Sequence, residues 1–159
     1  MGQRADVADL EALYRARYRH FLRVALLITH DEDGAHEAVQ EGFAAAIRSR
    51  RSYRGEGPLE AWVWRSVVNA AKKQRRRPAA VVPHDPSLSE NGDAAEERVV
   101  RAWIAALPER QRLAVYLRYY ADLDYRAIAA VLEVEVGTVS ATLSAAHRTL
   151  RKEIQEVHP

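Results

Sequence analysis

Arg65, Asn69, Lys72 or Lys73, and Arg76 recur every three or four residues, a spacing that lines them along one side of a helix. Cations in such a row neutralise phosphates in a salt-dependent way, and an asparagine amide offers both a donor and an acceptor to a base edge. No carboxylate interrupts the row to form exposed ion pairs, so it fits a polyanion better than a merely solvated surface. A second constellation lies further along. Ile128 and Leu132 point inward from one short helix, and Ala129 is small where a second helix must approach. Val134 plugs a turn, and Val139, Leu143, Ala146 and Leu150 line the inner side of the next helix. That is the outline of a helix-turn-helix, in which the second helix enters the major groove, although an ordinary helical hairpin has the same pattern. His30, Asp31, Asp33 and His36 offer metal-binding types. They cluster at a helix start, where carboxylates are favoured by capping and by the helix dipole. No catalytic residue, metal or cofactor is expected, since neither a Gly-rich phosphate loop nor an activated nucleophile is legible.

The elements that position these residues are helical. Leu10, Tyr14, Tyr18, Phe21, Ala25 and Ile28 fall at a helical period. After His30 to Gly34, Ala35, Val39, Phe43 and Ala46 give a second stripe running to about Arg50. Glu37, Gln40 and Glu41 form an acidic and amide edge beside it. A turn-forming stretch, Tyr53 to Pro58, precedes a third stripe of Leu59, Trp62, Val63, Ser66, Val67 and Ala70. That stripe puts Trp62 in the core and leaves Trp64 off it, available for stacking or edge packing. Pro78 to Ser87 and Asn91 to Asp93 are proline-punctuated and aperiodic. Helices resume with Val99, Val100, Trp103, Ile104 and Leu107, and restart at Pro108 as a first helical residue, with Leu113, Leu117 and Tyr120 on one stripe. A last helix runs from about Gly137 to Gln155. No strand-like alternation or internal repeat intervenes.

The expected fold is all-α, with two small helical domains over residues 1–77 and 96–159 and a flexible acidic linker over 78–95. Charge follows the same division. Residues 1–77 hold fifteen Lys/Arg against ten Asp/Glu, residues 78–97 none against five, and residues 98–159 nine against seven. Two basic blocks thus flank an acidic joint, which suits polyanion-facing modules on a tether. The net charge of +2 conceals this. Cysteine is absent, which removes disulfides and thiolate zinc sites. The first residues lack a signal-like apolar core and Leu26-Leu27-Ile28 is far too short to span a bilayer, so a cytoplasmic protein without membrane insertion is expected.

Leu107-Pro108-Glu109-Arg110-Gln111-Arg112, Leu117-Arg118-Tyr119 and the run through Gly137-Thr138-Val139 resemble region 4 of extracytoplasmic-function sigma factors. Upstream, Val39-Gln40-Glu41-Gly42-Phe43 resembles the family's region 2.2. Tyr53-Arg54-Gly55-Glu56-Gly57, Ala61-Trp62-Val63-Trp64-Arg65 and Val68-Asn69 resemble regions 2.3 and 2.4. The resemblance covers nearly the whole chain. It implies a transcription initiation factor that binds core RNA polymerase, melts the −10 promoter element with its first domain and contacts the −35 element with its second.

Glu37, Val39, Gln40 and Glu41 would then dock on the clamp helices of the polymerase. Tyr53, Arg54, Trp64, Arg65, Asn69, Lys72, Lys73 and Arg76 would meet the −10 DNA, with Tyr53 and Asn69 receiving a flipped base. Asp85, Glu90 and Asp93 would thread the polymerase cleft. The −35 contacts would come from Thr138, Ser140, Ala141, Thr142, Ser144, His147 and Arg148. This stretch departs from the family, which usually carries several Lys or Arg there, so upstream recognition is expected to be weak or assisted. An anti-sigma factor is an implied partner. The alternative is a helix-turn-helix regulator or interaction module with a sigma-like fold that does not initiate transcription.

Overall fold

A computed structural model of the chain describes residues 4–75 and 95–157. Seven α-helices order these residues: α1 (Val7–Thr29), α2 (Glu32–Arg48), α3 (Leu59–Arg75), α4 (Ala95–Ala106), α5 (Glu109–Tyr119), α6 (Tyr125–Leu132) and α7 (Val136–Val157). The described residues contain no strand. The chain forms two helical domains, α1 to α3 and α4 to α7.

Local chemistry sets most boundaries. The Asp6 carboxylate accepts from the Ala8 amide and starts α1, which ends at His30 in the left-handed region, φ 54°. Asp31 starts α2, its carboxylate accepting from the Gly34 amide at 2.9 Å, so this member of the His30-to-His36 cluster serves as a cap. The second helix stops at Arg48 rather than about Arg50, because a short 3-10 turn, Arg50–Ser52, takes over. Pro108 occupies the cap position before α5 rather than its first turn. Asp124 caps α6, accepting from the Ala127 amide at 2.8 Å, and Glu133 closes that helix in the left-handed region at φ 56°. With only 8 residues, α6 is too short to hold itself in water. Asp124→Ala is therefore expected to cost about 1 kcal/mol, measurable as a lowered urea midpoint with an unchanged slope.

In the first domain α3 packs against both α1 and α2. The α2–α3 approach is close enough that a Cβ on Gly42 would lie 2.6 Å from the Val67 Cα. Phe21 and Phe43 meet edge-on at 5.0 Å between centroids, and Phe21 lies 4.1 Å from the Trp64 ring. In the second domain α7 packs on α5 and α6. Ile128, Val139, Leu143 and Ala146 are buried there, and Val134 and Leu150 pack against the same core. The helix-turn-helix reading is thus realised, with Val134 filling the turn.

The two domains touch. α3 packs on α6, α1 packs on α5, and the buried side chains of both belong to one continuous core. Two separated bodies were the expectation for the tether, whose residues 78–94 lie outside the described residues together with Asp85, Glu90 and Asp93.

Candidate nucleic-acid interface

On α3, three sets of positions face three directions. Val63, Val67 and Ala70 are buried beside α2, where Val67 meets Gly42. Trp64 is fully buried against Phe21 of α1. This corrects the expectation for both tryptophans: Trp64 belongs to the core and its ring is not available to DNA, whereas Trp62 is only half-buried. The reason is that α1 covers a face of α3 that a single apolar stripe does not reveal.

Trp62, Ser66, Asn69 and Lys73 share a stripe at helical spacing, with Asn69 and Lys73 exposed. The stripe begins at an aromatic pair, since Trp62 lies 5.5 Å from Tyr53 between ring centroids. Tyr53 is half-buried and its hydroxyl donates to the Gly57 carbonyl, closing the loop ahead of α3. Gly55 and Gly57, at φ 74° and 127°, supply the backbone conformations that loop needs. Arg54 is exposed on it. Trp62 is thus a candidate that sequence reasoning missed, and its signal was the spacing to Ser66, Asn69 and Lys73.

A separate stripe carries Ala61, Arg65, Val68, Lys72 and Arg75. Arg65 donates to Glu133 at 2.9 Å and Arg75 pairs with Glu109, both acceptors belonging to the second domain. The structure therefore divides the expected basic row between two faces: Asn69 and Lys73 point to solvent, while Arg65 turns to the other domain. Lys72 is half-buried. Arg76 lies outside the described residues.

The α2 edge is polar. Glu37, Gln40 and Glu41 are exposed and line one wall of an open groove of about 550 Å³, with Ala70, Lys73 and Gln74 of α3 on the other. Glu41 accepts from Arg48 at 2.9 Å. Val39 is fully buried, which corrects its place in the docking set: it faces the core, and the edge beside it is what a partner can touch. His36 stacks on Tyr18 at 5.9 Å. Burial and the neighbouring Tyr14 raise the Tyr18 pKa, keeping that phenol neutral. On the far side of α1, burial together with Arg17 and Arg23 lowers the His20 pKa, so this imidazole adds no third positive charge there.

On α7, the side presented to solvent carries Gly137, Ser140, Ala141, Ser144 and Arg148. Thr138 and Thr142 are half-buried, and the Thr142 hydroxyl donates to the Thr138 carbonyl at 2.7 Å. His147 is engaged by the Tyr119 hydroxyl at 2.9 Å. No cation precedes Arg148 on this helix, and Glu133 and Glu135 flank its start.

The arrangement is that of a promoter-reading specificity subunit. The family model for sigma-70 region 2 matches residues 13–80, and that for sigma-70 region 4 matches residues 97–150. The chain is 30% identical over 96% of its length to the ECF RNA polymerase sigma-E factor of Escherichia coli strain K12, covering 92% of that protein. It is 29% identical to the RNA polymerase sigma-H factor of Pseudomonas aeruginosa, covering 96% of this chain and 90% of that one. Among solved structures, the sigma factor RpoE of Bartonella quintana in complex with the anti-sigma factor NepR superposes with a TM-score of 0.74 at 20% identity, covering 96% of this chain and all of that one. CnrH in complex with the cytosolic domain of CnrY gives 0.69 at 18%, covering 96% and 91%. This chain belongs to the extracytoplasmic-function sigma factors of the sigma-70 family. It is a promoter-specific transcription initiation factor, whose partners are RNA polymerase and promoter DNA. Among the described residues, no single helix is long and apolar enough to cross a membrane.

Proposed function

We propose that the exposed Trp62–Ser66–Asn69–Lys73 stripe of α3, together with the Tyr53-to-Pro58 loop, is the surface that captures the melted −10 strand. The observation that carries this reading is the junction of an aromatic pair with a solvent-facing amide and a lysine. Extruding a base costs a few kcal/mol of stacking and pairing, and an aromatic platform returns about 1–3 kcal/mol per base. Asn69 supplies the hydrogen bonds, while Arg54, Lys73 and the cations at the end of α3 follow the phosphates.

Glu37, Gln40 and Glu41 form the polymerase-docking edge, their groove being acidic on the α2 wall. Domains over residues 1–77 and 96–159, with a linker over 78–95, divide the labour. The second domain reads the −35 element weakly through Thr138, Ser140, Ala141, Ser144 and Arg148, for want of a cation on the first turns of α7. An anti-sigma factor, as held by the Bartonella quintana neighbour, is the class of regulator inferred here. Exposed Val99 and Val100 on α4 and Ile154 and Val157 on α7 supply apolar surface for such a protein. The protein acts in the cytoplasm, without catalytic activity of its own.

Run-off transcription with core polymerase on a promoter library selected by the wild-type chain tests the assignment. Asn69→Ala combined with Lys73→Glu is expected to lower open-complex formation at least about tenfold, the loss of roughly 1.4 kcal/mol or more. Core binding, followed by gel filtration, stays unchanged. Undiminished open complexes would remove α3 from the −10 contact.

A further inference from the structure

The second domain holds two of the arginines that the first domain would turn toward DNA. Arg65 bonds Glu133 at 2.9 Å, and Arg75 pairs with Glu109. Glu133 sits in the turn of the helix-turn-helix, where its left-handed backbone ends α6 and aims the side chain away from the α6–α7 core toward α3. Val68, between Arg65 and Arg75 on the same stripe of α3, is fully buried. Beside this contact, Arg17 donates to the Ala121 carbonyl at 3.2 Å and to Glu60 at 2.9 Å, and the Arg23 guanidinium lies 5.4 Å over the Tyr120 ring. Ala121 and Leu123 in the α5–α6 connection are buried. Four cations of the first domain thus end on acceptors, an aromatic face or carboxylates supplied largely by the second.

We propose that this contact is a self-inhibitory latch: the helix-turn-helix domain, through Glu133 and Glu109, occupies Arg65 and Arg75 in competition with promoter phosphates, so that the isolated chain binds DNA poorly until the domains separate. The inference rests on the reading of α3 as the DNA-facing helix. Carboxylates are the natural stand-ins for phosphate oxygens at a guanidinium. Both ion pairs are exposed to solvent over about half of their side chains, at 53% and 52% for Arg65 and Glu133 and 41% and 37% for Arg75 and Glu109. Each is accordingly weak, worth at most about 1 kcal/mol, which suits a closure that polymerase binding can open. A ligand that meets only the open state has its affinity reduced by the fraction of molecules that are open. The acidic start of α7, with Glu133 and Glu135 and no cation before Arg148, fits a domain used here as much to cover α3 as to hold DNA.

The absence of native cysteine allows a direct test in the full chain. Dyes placed through Glu56→Cys and Arg151→Cys report the distance between the domains by energy transfer. A fluorescein-labelled random-sequence single-stranded oligonucleotide reports DNA binding by anisotropy. Glu109→Gln with Glu133→Gln is expected to lower energy transfer and tighten oligonucleotide binding about three- to tenfold at low salt, the range set by one or two released pairs. Neutral glutamine keeps the shape and adds no positive charge, so the tightening would come from released arginines. Unchanged energy transfer, or reduced transfer with unchanged affinity, overturns the latch. Adding Arg65→Gln and Arg75→Gln to the opened chain separates the two readings. The gain should then be lost, and the salt dependence of binding should flatten by roughly 0.7 per arginine. If binding stays tight after that change, the DNA-facing reading of α3 fails and the latch with it.

Discussion

Trp64→Ala is expected to lower the unfolding free energy by about 3–5 kcal/mol, a large fraction of the roughly 5–15 kcal/mol that holds a domain folded. Trp64 has no exposed surface and stacks at 4.1 Å on Phe21, itself fully buried. Removing the indole leaves a cavity walled by α1 and α3 that neither helix can close, because Phe21 is also held edge-on by Phe43. Trp62→Ala, two residues away, is expected to cost under about 1.5 kcal/mol, since its half-buried ring loses chiefly its contact with Tyr53. Urea unfolding of the two variants, followed by far-ultraviolet circular dichroism, measures the contrast. The same pair separates stability from function: Trp62→Ala should fold and lose promoter melting, whereas Trp64→Ala should lose both. Equal destabilisation by the two changes would contradict the burial described here.

Gly42→Val is expected to disrupt the α2–α3 packing outright, and Gly42→Ala to destabilise the protein by about 1–2 kcal/mol net. An alanine in a helix ordinarily gains up to about 1 kcal/mol over glycine. At position 42 that gain is outweighed, because the new methyl would lie 2.6 Å from the Val67 Cα and 2.9 Å from its backbone nitrogen. Backbone cannot swing aside as a side-chain tip can, so the two helices must move apart and loosen the contacts of Phe43, Val63 and Ala70. Gly137→Ala provides the opposite sign: no atom lies within 4 Å of its added Cβ, and a gain of about 0.4–1 kcal/mol is expected. Denaturant titration of both variants under one condition decides between them. A stabilising Gly42→Ala would show that the interhelical gap is wider than these distances state.

The loss from Gly42→Val should also reach function. Gln40 and Glu41 precede this glycine, and the wall they form faces Ala70, Lys73 and Gln74 across the groove. Moving α2 away from α3 would shift the polymerase-docking edge relative to the DNA-facing stripe. Loss of core binding and of promoter melting together is therefore expected.

Much of this protein was determined by local sequence alone. The 3.6-residue periods of α1, α2 and α7, the capping carboxylates of Asp31 and Asp124, and the helix-turn-helix plug at Val134 depend on contacts within a few residues of each position. The family's motifs, being short and ordered, were legible for the same reason. Faces were harder. A single apolar stripe describes a helix with one neighbour, but α3 has three, α1, α2 and α6. Its stripe placed Val63, Val67 and Ala70 inside correctly and exchanged the two tryptophans. Arg65 and Glu133 are 68 positions apart, and no periodicity relates charges at such a distance. Which carboxylate meets which arginine, and which side of α3 remains open to DNA, was decided only when the second domain came to rest against the first.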